Sequence, residues 1–172
     1  MKKLLIIVDY QNDFVDGALG FLKAKEIEDG ICRRIQEYKK SGDDIVFTLD
    51  THYDNYFDTV EGKHLPIKHC IKDTFGHEIH GEVKSYKEGC KIFLKETFPS
   101  SELLQYLLDK DYEEIELCGV VTNICVISNA VICKAAKPNS RIIVNSKISA
   151  SNDEKMENLS YEVMKNLHIE II

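Results

Sequence analysis

The sequence predicts an α/β fold: a three-layer α/β/α Rossmann-like sandwich whose mainly parallel sheet holds roughly six strands. Three observations carry that prediction. Short apolar runs alternate along the chain with segments of helical spacing. The runs are continuously apolar, as strands buried on both faces are. No repeat, low-complexity tract or linker interrupts the 172 residues, a length at which one domain builds a core without metal or disulfide staples. Residues 1–172 are therefore expected to form a single domain.

The elements follow in order. Lys3–Val8 is the first buried strand. Its lysines and apolar run open as a signal peptide would, but Asp9 ends the run at once and no small-residue cleavage site follows. Glu28–Ser41 is a helix, with Ile31, Ile35 and Tyr38 on one face and a Ser-Gly stop. Asp44–Leu49 is the second strand. Residues 51–89 are polar and without strong period, and are expected to form a metal and substrate loop, since so long a loop in a compact domain is usually functional. Lys91–Leu94 is the third strand. Ser100–Asp109 is a helix behind Pro99, with Leu103, Leu104, Leu107 and Leu108 on one side. Glu114–Cys118 is a strand, Asn123–Ala136 a helix stopped by Pro138, and Arg141–Val144 a strand. Asp153–Asn166 is the last helix and His168–Ile172 the last strand.

Composition narrows the function classes. The net charge of −7 argues against nucleic acid, which needs a basic face. No apolar run approaches the roughly 20 residues of a membrane span. The first strand is not followed by a G-x-G-x-x-G fingerprint, so no nucleotide cofactor is expected. The six cysteines (Cys32, Cys70, Cys90, Cys118, Cys125 and Cys133) include no C-x-x-C pair, and reduced thiols in a cytoplasmic protein are the better reading.

Open parallel sheets bind ligands at the carboxyl ends of their strands. There the sequence delivers Asp9, then Asp50 with His52, then Lys95, and then a Gly119–Thr122 turn into the helix bearing Cys125. A thiol in the first helical turn feels the positive helix end, which lowers its pKa. Free N–H groups of the Val120–Cys125 turn would stabilise an oxyanion. The plainer alternative is a buried helix cysteine, like Cys133. Asp9 reads as a turn cap or as a general base whose pKa is raised in a dry site. Lys95 reads as a solvated strand end or as the charge that balances Asp9 and a thiolate. Asp50 and His52, with His64 or His69 from the loop, form a candidate site for a divalent metal, Zn²⁺ first, with Fe²⁺ or Mn²⁺ as alternatives. His77 and His80 form a weaker candidate pair.

The same residues carry a resemblance. The stretches Val8-Asp9-Tyr10-Gln11-Asn12-Asp13-Phe14, Asp50-Thr51-His52, Leu65-Pro66-Ile67-Lys68-His69-Cys70, Lys95 and Gly119-Val120-Val121-Thr122-Asn123-Ile124-Cys125-Val126 are similar to the isochorismatase-like cysteine hydrolases, and within them to nicotinamidase-related amidases. The likeness runs over nearly the whole length. It implies a catalytic triad of Asp9, Lys95 and Cys125. It also implies a cis peptide between Val120 and Val121 that turns the Val121 N–H toward an oxyanion hole shared with Cys125. Asp50, His52 and His69 would hold a metal that binds a pyridine nitrogen, and Phe14 would line the substrate pocket. Cys125 argues against the ether hydrolysis of true isochorismatases, which lack that nucleophile. Nicotinamidases often carry a Trp three residues before the last metal histidine, where this chain has Pro66 and no Trp anywhere.

The expected activity is cleavage of a small carboxamide, nicotinamide first, through a thioester. The alternatives are a carbamoyl or ureido amide on the same fold, and a redox-sensing thiol protein. A homo-oligomer is expected from the resemblance, with the small-molecule substrate as the other partner.

Overall fold

The computed structural model describes residues 2–172. Six strands form one sheet: β1 (Lys2–Val8), β2 (Asp44–Asp50), β3 (Lys91–Lys95), β4 (Tyr112–Val120), β5 (Arg141–Ala150) and β6 (Glu170–Ile171). Their order is β3-β2-β1-β4-β5-β6 and every pairing is parallel. The chain thus winds outward from β1 toward one edge, then crosses to β4 and winds toward the other. The crevice at such a reversal lies above the carboxyl ends of β1 and β4.

Side-chain alternation along β1 divides the core in two. Leu5 and Ile7 pack with Ile31, Ile35 and Tyr38 of α3 (Glu28–Ser41). Leu4, Ile6 and Val8 face the other way, onto Leu103 and Leu107 of the helix at Ser101–Leu108, Ala130 and Cys133 of the helix at Ile127–Ala136, and Met164 of the helix at Glu154–Asn166. Each fully buried Leu or Ile contributes about 1.5–3 kcal/mol, and continuous apolar runs are what a sheet covered on both faces requires. The remaining helices are α1 (Asn12–Val15), α2 (Leu22–Glu26) and α4 (Val60–His64), so the three helices above are α5, α6 and α7 in chain order. One buried charge pins α3 to the sheet. Glu116 of β4, fully buried, accepts from Arg34 Nε at 2.9 Å, Tyr38 Oη at 3.0 Å and Asn145 Nδ2 at 2.9 Å.

Helix α3 keeps its expected bounds, and Ser100 and Asp153 cap α5 and α7 by accepting from Leu103 and Met156 N–H. Four expectations need correction. β4 runs two residues beyond each end of Glu114–Cys118, over Tyr112–Val120. β5 runs six residues past Val144 to Ala150, because its partner register shifts between Leu117 and Gly119. The polar Asn145-Ser146-Lys147 segment lies in this irregular stretch and hides the continuation. The last strand is confined to Glu170–Ile171, since His168 has a φ of 59° and cannot be extended. Finally, the helix expected over Asn123–Ala136 opens as a π turn, Thr122–Val126, before α6. Residues 51–89 form short turns and α4, tied to the body by a bridge between Gln11 and Ile79 and closed on themselves by one between His52 and Ile71. Among the described residues, no helix is long and apolar enough to cross a membrane.

At Gly119 the φ is +114°, and a Cβ there would sit 2.1 Å from the Val8 carbonyl oxygen of the neighbouring strand. Gly119→Ala is expected to destabilise the protein by more than about 2 kcal/mol in urea unfolding; an unchanged midpoint would contradict this close approach.

Candidate active site

Strand register assembles the polar groups. Asp50 pairs with Lys95 across β2 and β3, and Val8 pairs with Thr48 and with Gly119, so the ends of four strands lie level. Lys95 sits at their centre, 5% exposed. Its Nζ lies 2.6 Å from Asp9 Oδ2, 3.2 Å from Asp50 Oδ1, 3.1 Å from the Thr97 carbonyl and 3.5 Å from Cys125 Sγ. Asp9, fully buried with a φ of 48°, accepts a second bond on Oδ1 from the Thr48 hydroxyl at 2.7 Å. The structure therefore brings Asp9, Lys95 and Cys125 into one cluster.

The charges in this cluster oppose one another. Burial pushes the Asp9 carboxyl above the ordinary carboxylate range, with Lys95 pulling the other way and Asp50 adding to the rise. For Lys95, burial works against the charged amine, but Asp9, Cys125 and Asp50 outweigh it and raise its pKa well above the usual lysine value. The Cys125 thiol is pushed well above its ordinary value, by burial first, against the pull of Lys95. The lowered thiol pKa expected from the helix terminus is thus not found. Burial, Asp9 and Asp50 together outweigh the pull of Lys95.

The peptide between Val120 and Val121 is cis. Val121 leads into the π turn, in which the Val126 N–H reaches back five residues to the Val121 carbonyl at 3.2 Å. Single π turns recur at functional sites. Cys125 projects from this turn, and the Asn129 side chain donates to its carbonyl at 2.7 Å. Cys118, the nearest thiol in sequence, belongs to the core on the opposite face of the sheet.

Beside Lys95 lies a second cluster. Asp50, His52, Glu61 and His69 each offer a donor atom, and these atoms lie within 4.8 Å of one another. Asp50 Oδ2 is 2.9 Å from His52 Nε2 and 3.3 Å from His69 Nε2, while Glu61 Oε1 is 3.5 and 3.6 Å from the same two nitrogens. Ligands about 2.1 Å from a common ion stand roughly 3.0–3.4 Å apart, and the four carboxylate–imidazole distances lie close to that range. His69 directs Nε2 inward because its Nδ1 bonds the Ile67 carbonyl at 2.8 Å, the outer contact typical of a ligating imidazole. Burial alone would lower the imidazole pKa values, but Asp50 and Glu61 raise His52 to about 9 and His69 to about 10. Two carboxylates thus demand positive charge at this point, and two imidazoles with two carboxylates fit a divalent ion of borderline character.

The sequence reading had three of these four ligand candidates. Glu61 was missed because it lies in the aperiodic stretch at 51–89, in the first turn of α4, where Thr59 caps the helix by accepting from the Gly62 N–H at 3.0 Å. A carboxylate just behind an N-cap residue was the one available signal. His64 does not join. Its Nδ1 bonds the Val60 carbonyl at 2.9 Å. His77 and His80 form no pair, as each engages a different partner, the Thr51 hydroxyl and Asn12 Oδ1, both at 2.8 Å.

Both clusters open onto one cavity of about 350 Å³, within the range of small-ligand sites. Cys125, Asp50, Glu61 and His69 supply its polar side, and Phe14, Leu19, Phe21, Leu65, Phe98, Val121 and Ile124 its apolar walls. The residues after Asp9 have a use the sequence did not disclose. Gln11 accepts from the Asp50 N–H at 2.8 Å and donates to the Asp50 carbonyl at 2.9 Å. Asn12 donates to the Phe75 carbonyl at 2.7 Å, and Asp13 accepts from the Cys70 N–H at 2.7 Å.

Comparison with known proteins agrees with this geometry. A family profile described as Isochorismatase domain matches residues 3–172. The chain is 32% identical over 167 residues to the uncharacterized isochorismatase family protein PncA of Bacillus subtilis, covering 90% of each. Its fold matches the crystal structure of nicotinamidase/pyrazinamidase PncA from Bacillus subtilis with a TM-score of 0.88, at 28% identity over 99% of both chains. It matches the pyrazinamidase of Pyrococcus horikoshii in complex with zinc with a TM-score of 0.86, at 27% identity over 100% of this chain and 99% of that one. On the match over residues 3–172, the chain belongs to the isochorismatase family.

Proposed function

We propose that this protein is a cysteine-dependent amidohydrolase that converts nicotinamide to nicotinate and ammonia. The observation that carries the reading is the convergence of Asp9 and Lys95 on Cys125 at a small cavity also lined by three of the four metal-type residues, Asp50, Glu61 and His69. The names of the relatives, nicotinamidase and pyrazinamidase, point to the same reaction class.

In this mechanism Asp9 takes the Cys125 proton as the thiolate attacks the amide carbonyl. A carboxylate whose pKa is raised by burial, held in the same buried cluster as the thiol, suits that transfer. Lys95 stays protonated, holds Asp9 in place and balances the thiolate. The Val121 and Cys125 N–H groups serve the tetrahedral oxyanion, where one such donor is worth about 3–4 kcal/mol. Asp9 returns its proton to the departing ammonia, and a thioester remains on Cys125. Asp9 then activates water to hydrolyse it, so that one difficult step becomes two easier ones. Phe14, Phe21 and Phe98 enclose the ring and exclude water. Asp50, His52, Glu61 and His69 would hold a divalent ion, zinc being the leading candidate, which supplies an acceptor for the lone pair of a pyridine nitrogen.

Cys125→Ala is expected to reduce ammonia release from nicotinamide by about 10⁴-fold or more while thermal unfolding stays that of the parent; substantial turnover in this variant would sink the mechanism. Ammonia from ureido or carbamoyl compounds, with none from nicotinamide, would move the substrate and keep the chemistry.

The acid limb follows from Asp9. Asp9 must be ionised in the free enzyme, and burial raises its pKa. As pH falls, kcat/KM should therefore drop at a pH above the ordinary aspartate value of about 3.9. A limb at or below that value would show that another group accepts the proton.

Stripping the protein with a chelator should abolish nicotinamide turnover, and added Zn²⁺ should restore it. In calorimetric titration, Glu61→Gln should bind Zn²⁺ at least about tenfold more weakly. Unchanged affinity would remove Glu61 from the ligand set.

A further inference from the structure

Glu157 of α7 is 2% exposed and has no part in the chemistry above, yet it joins two elements that shape the cavity. Its Oε1 accepts from the Thr122 hydroxyl at 3.0 Å and from the Tyr161 hydroxyl at 3.4 Å, and its Oε2 pairs with Lys23 Nζ. Thr122 is fully buried, follows Val121 of the cavity wall, and opens the π turn that carries Cys125. Lys23 lies on α2, two residues beyond Phe21 in the Leu19-Gly20-Phe21 rim. The rim is fixed to the β1 side by one further bond near this point, from the Tyr10 hydroxyl to the Ala24 carbonyl at 2.7 Å.

An ionised carboxylate is costly to bury unless a charged partner and hydrogen bonds offset the lost water. An apolar residue would fill this interior position of α7 without that cost. A carboxylate does what an apolar residue cannot: besides the Tyr161 hydroxyl of its own helix, its two oxygens hold donors from two other elements, Thr122 on Oε1 and Lys23 on Oε2, at fixed spacing. We propose that Glu157 is a positioning residue, which couples the rim through Lys23 to the nucleophile turn through Thr122 and so fixes the span between Cys125 and the opposite cavity wall. The kinetic consequence rests on the amidase reading above, whereas the coupling itself does not.

The test uses the full-length, zinc-loaded protein with Lys23→Met, Lys23→Arg, Thr122→Val and the Lys23→Met/Thr122→Val double variant. Lys23 is half exposed and Thr122→Val keeps the side-chain shape, so the variants remove the link with little loss of packing. Three quantities are read: kcat and KM for nicotinamide, the rate of iodoacetamide alkylation at Cys125 by peptide mass, and thermal unfolding. Lys23→Met and Thr122→Val should each lower kcat/KM about tenfold. The double variant should fall no further, since both changes cut one link. Lys23→Met should also change the Cys125 alkylation rate at least about threefold, although Lys23 does not touch Cys125. Lys23→Arg should restore both. Additive losses, or an unchanged alkylation rate in folded Lys23→Met, would overturn the proposal. If the parent protein leaves nicotinamide intact, the nicotinamide assignment fails alone and the alkylation rates still decide this one. If Thr122→Val does not fold, the two Lys23 variants decide it.

Discussion

The site is organised around a buried ammonium. Lys95 stands among Asp9, Asp50, the Thr97 carbonyl and the Cys125 sulfur, with almost no access to water. No single partner would make that burial tolerable, because desolvating a charge is costly and one ion pair seldom offsets it. The set of partners does, and the set exists only because β1, β2 and β3 end level in a parallel sheet. Register and charge thus hold each other in place. Shifting one strand by a residue would turn its functional side chain to the other face of the sheet and leave the ammonium short of a carboxylate.

The loop over residues 51–89 depends on the same region. Its long polar course has little core of its own, and it is held by short-range donors and acceptors that follow Asp9 in sequence. Gln11 clamps both sides of the Asp50 peptide, Asn12 reaches Phe75, and Asp13 fixes Cys70 beside His69. The segment directly after β1 therefore gives one residue to the Lys95 cluster and the next few to the placement of the metal-type donors. The two clusters face a common cavity because one stretch of chain builds the supports of both.

What could be read from residues alone follows the range of the forces involved. Helix α3 was legible to its ends, since Ile31, Ile35 and Tyr38 mark its face and Gly42, with a φ of +74°, terminates it. Asp9, Asp50 and Lys95 were legible because each ends an apolar run at a strand end, and Cys125 because it lies in the first turn of the helix that follows such a strand. The family likeness then suggested how they group. Glu61 was not legible, because its approach to His52 and His69 is made by loop packing that has no period. The thiol was misjudged for a related reason. A helix terminus is a local feature visible in sequence, whereas the burial that outweighs it is contributed by the whole of the surrounding fold. The bulge that extends β5 was obscured in the same way, by polar residues that read as a strand's end.

One carboxylate belongs to both centres. Asp50 turns Oδ1 to the ammonium and Oδ2 to the two imidazoles. Any cation bound beyond Oδ2 would compete with Lys95 for the electron density of a single group, so filling one centre must retune the other. The identity of such an ion would then be felt at the ammonium and, through it, at the Cys125 sulfur 3.5 Å away.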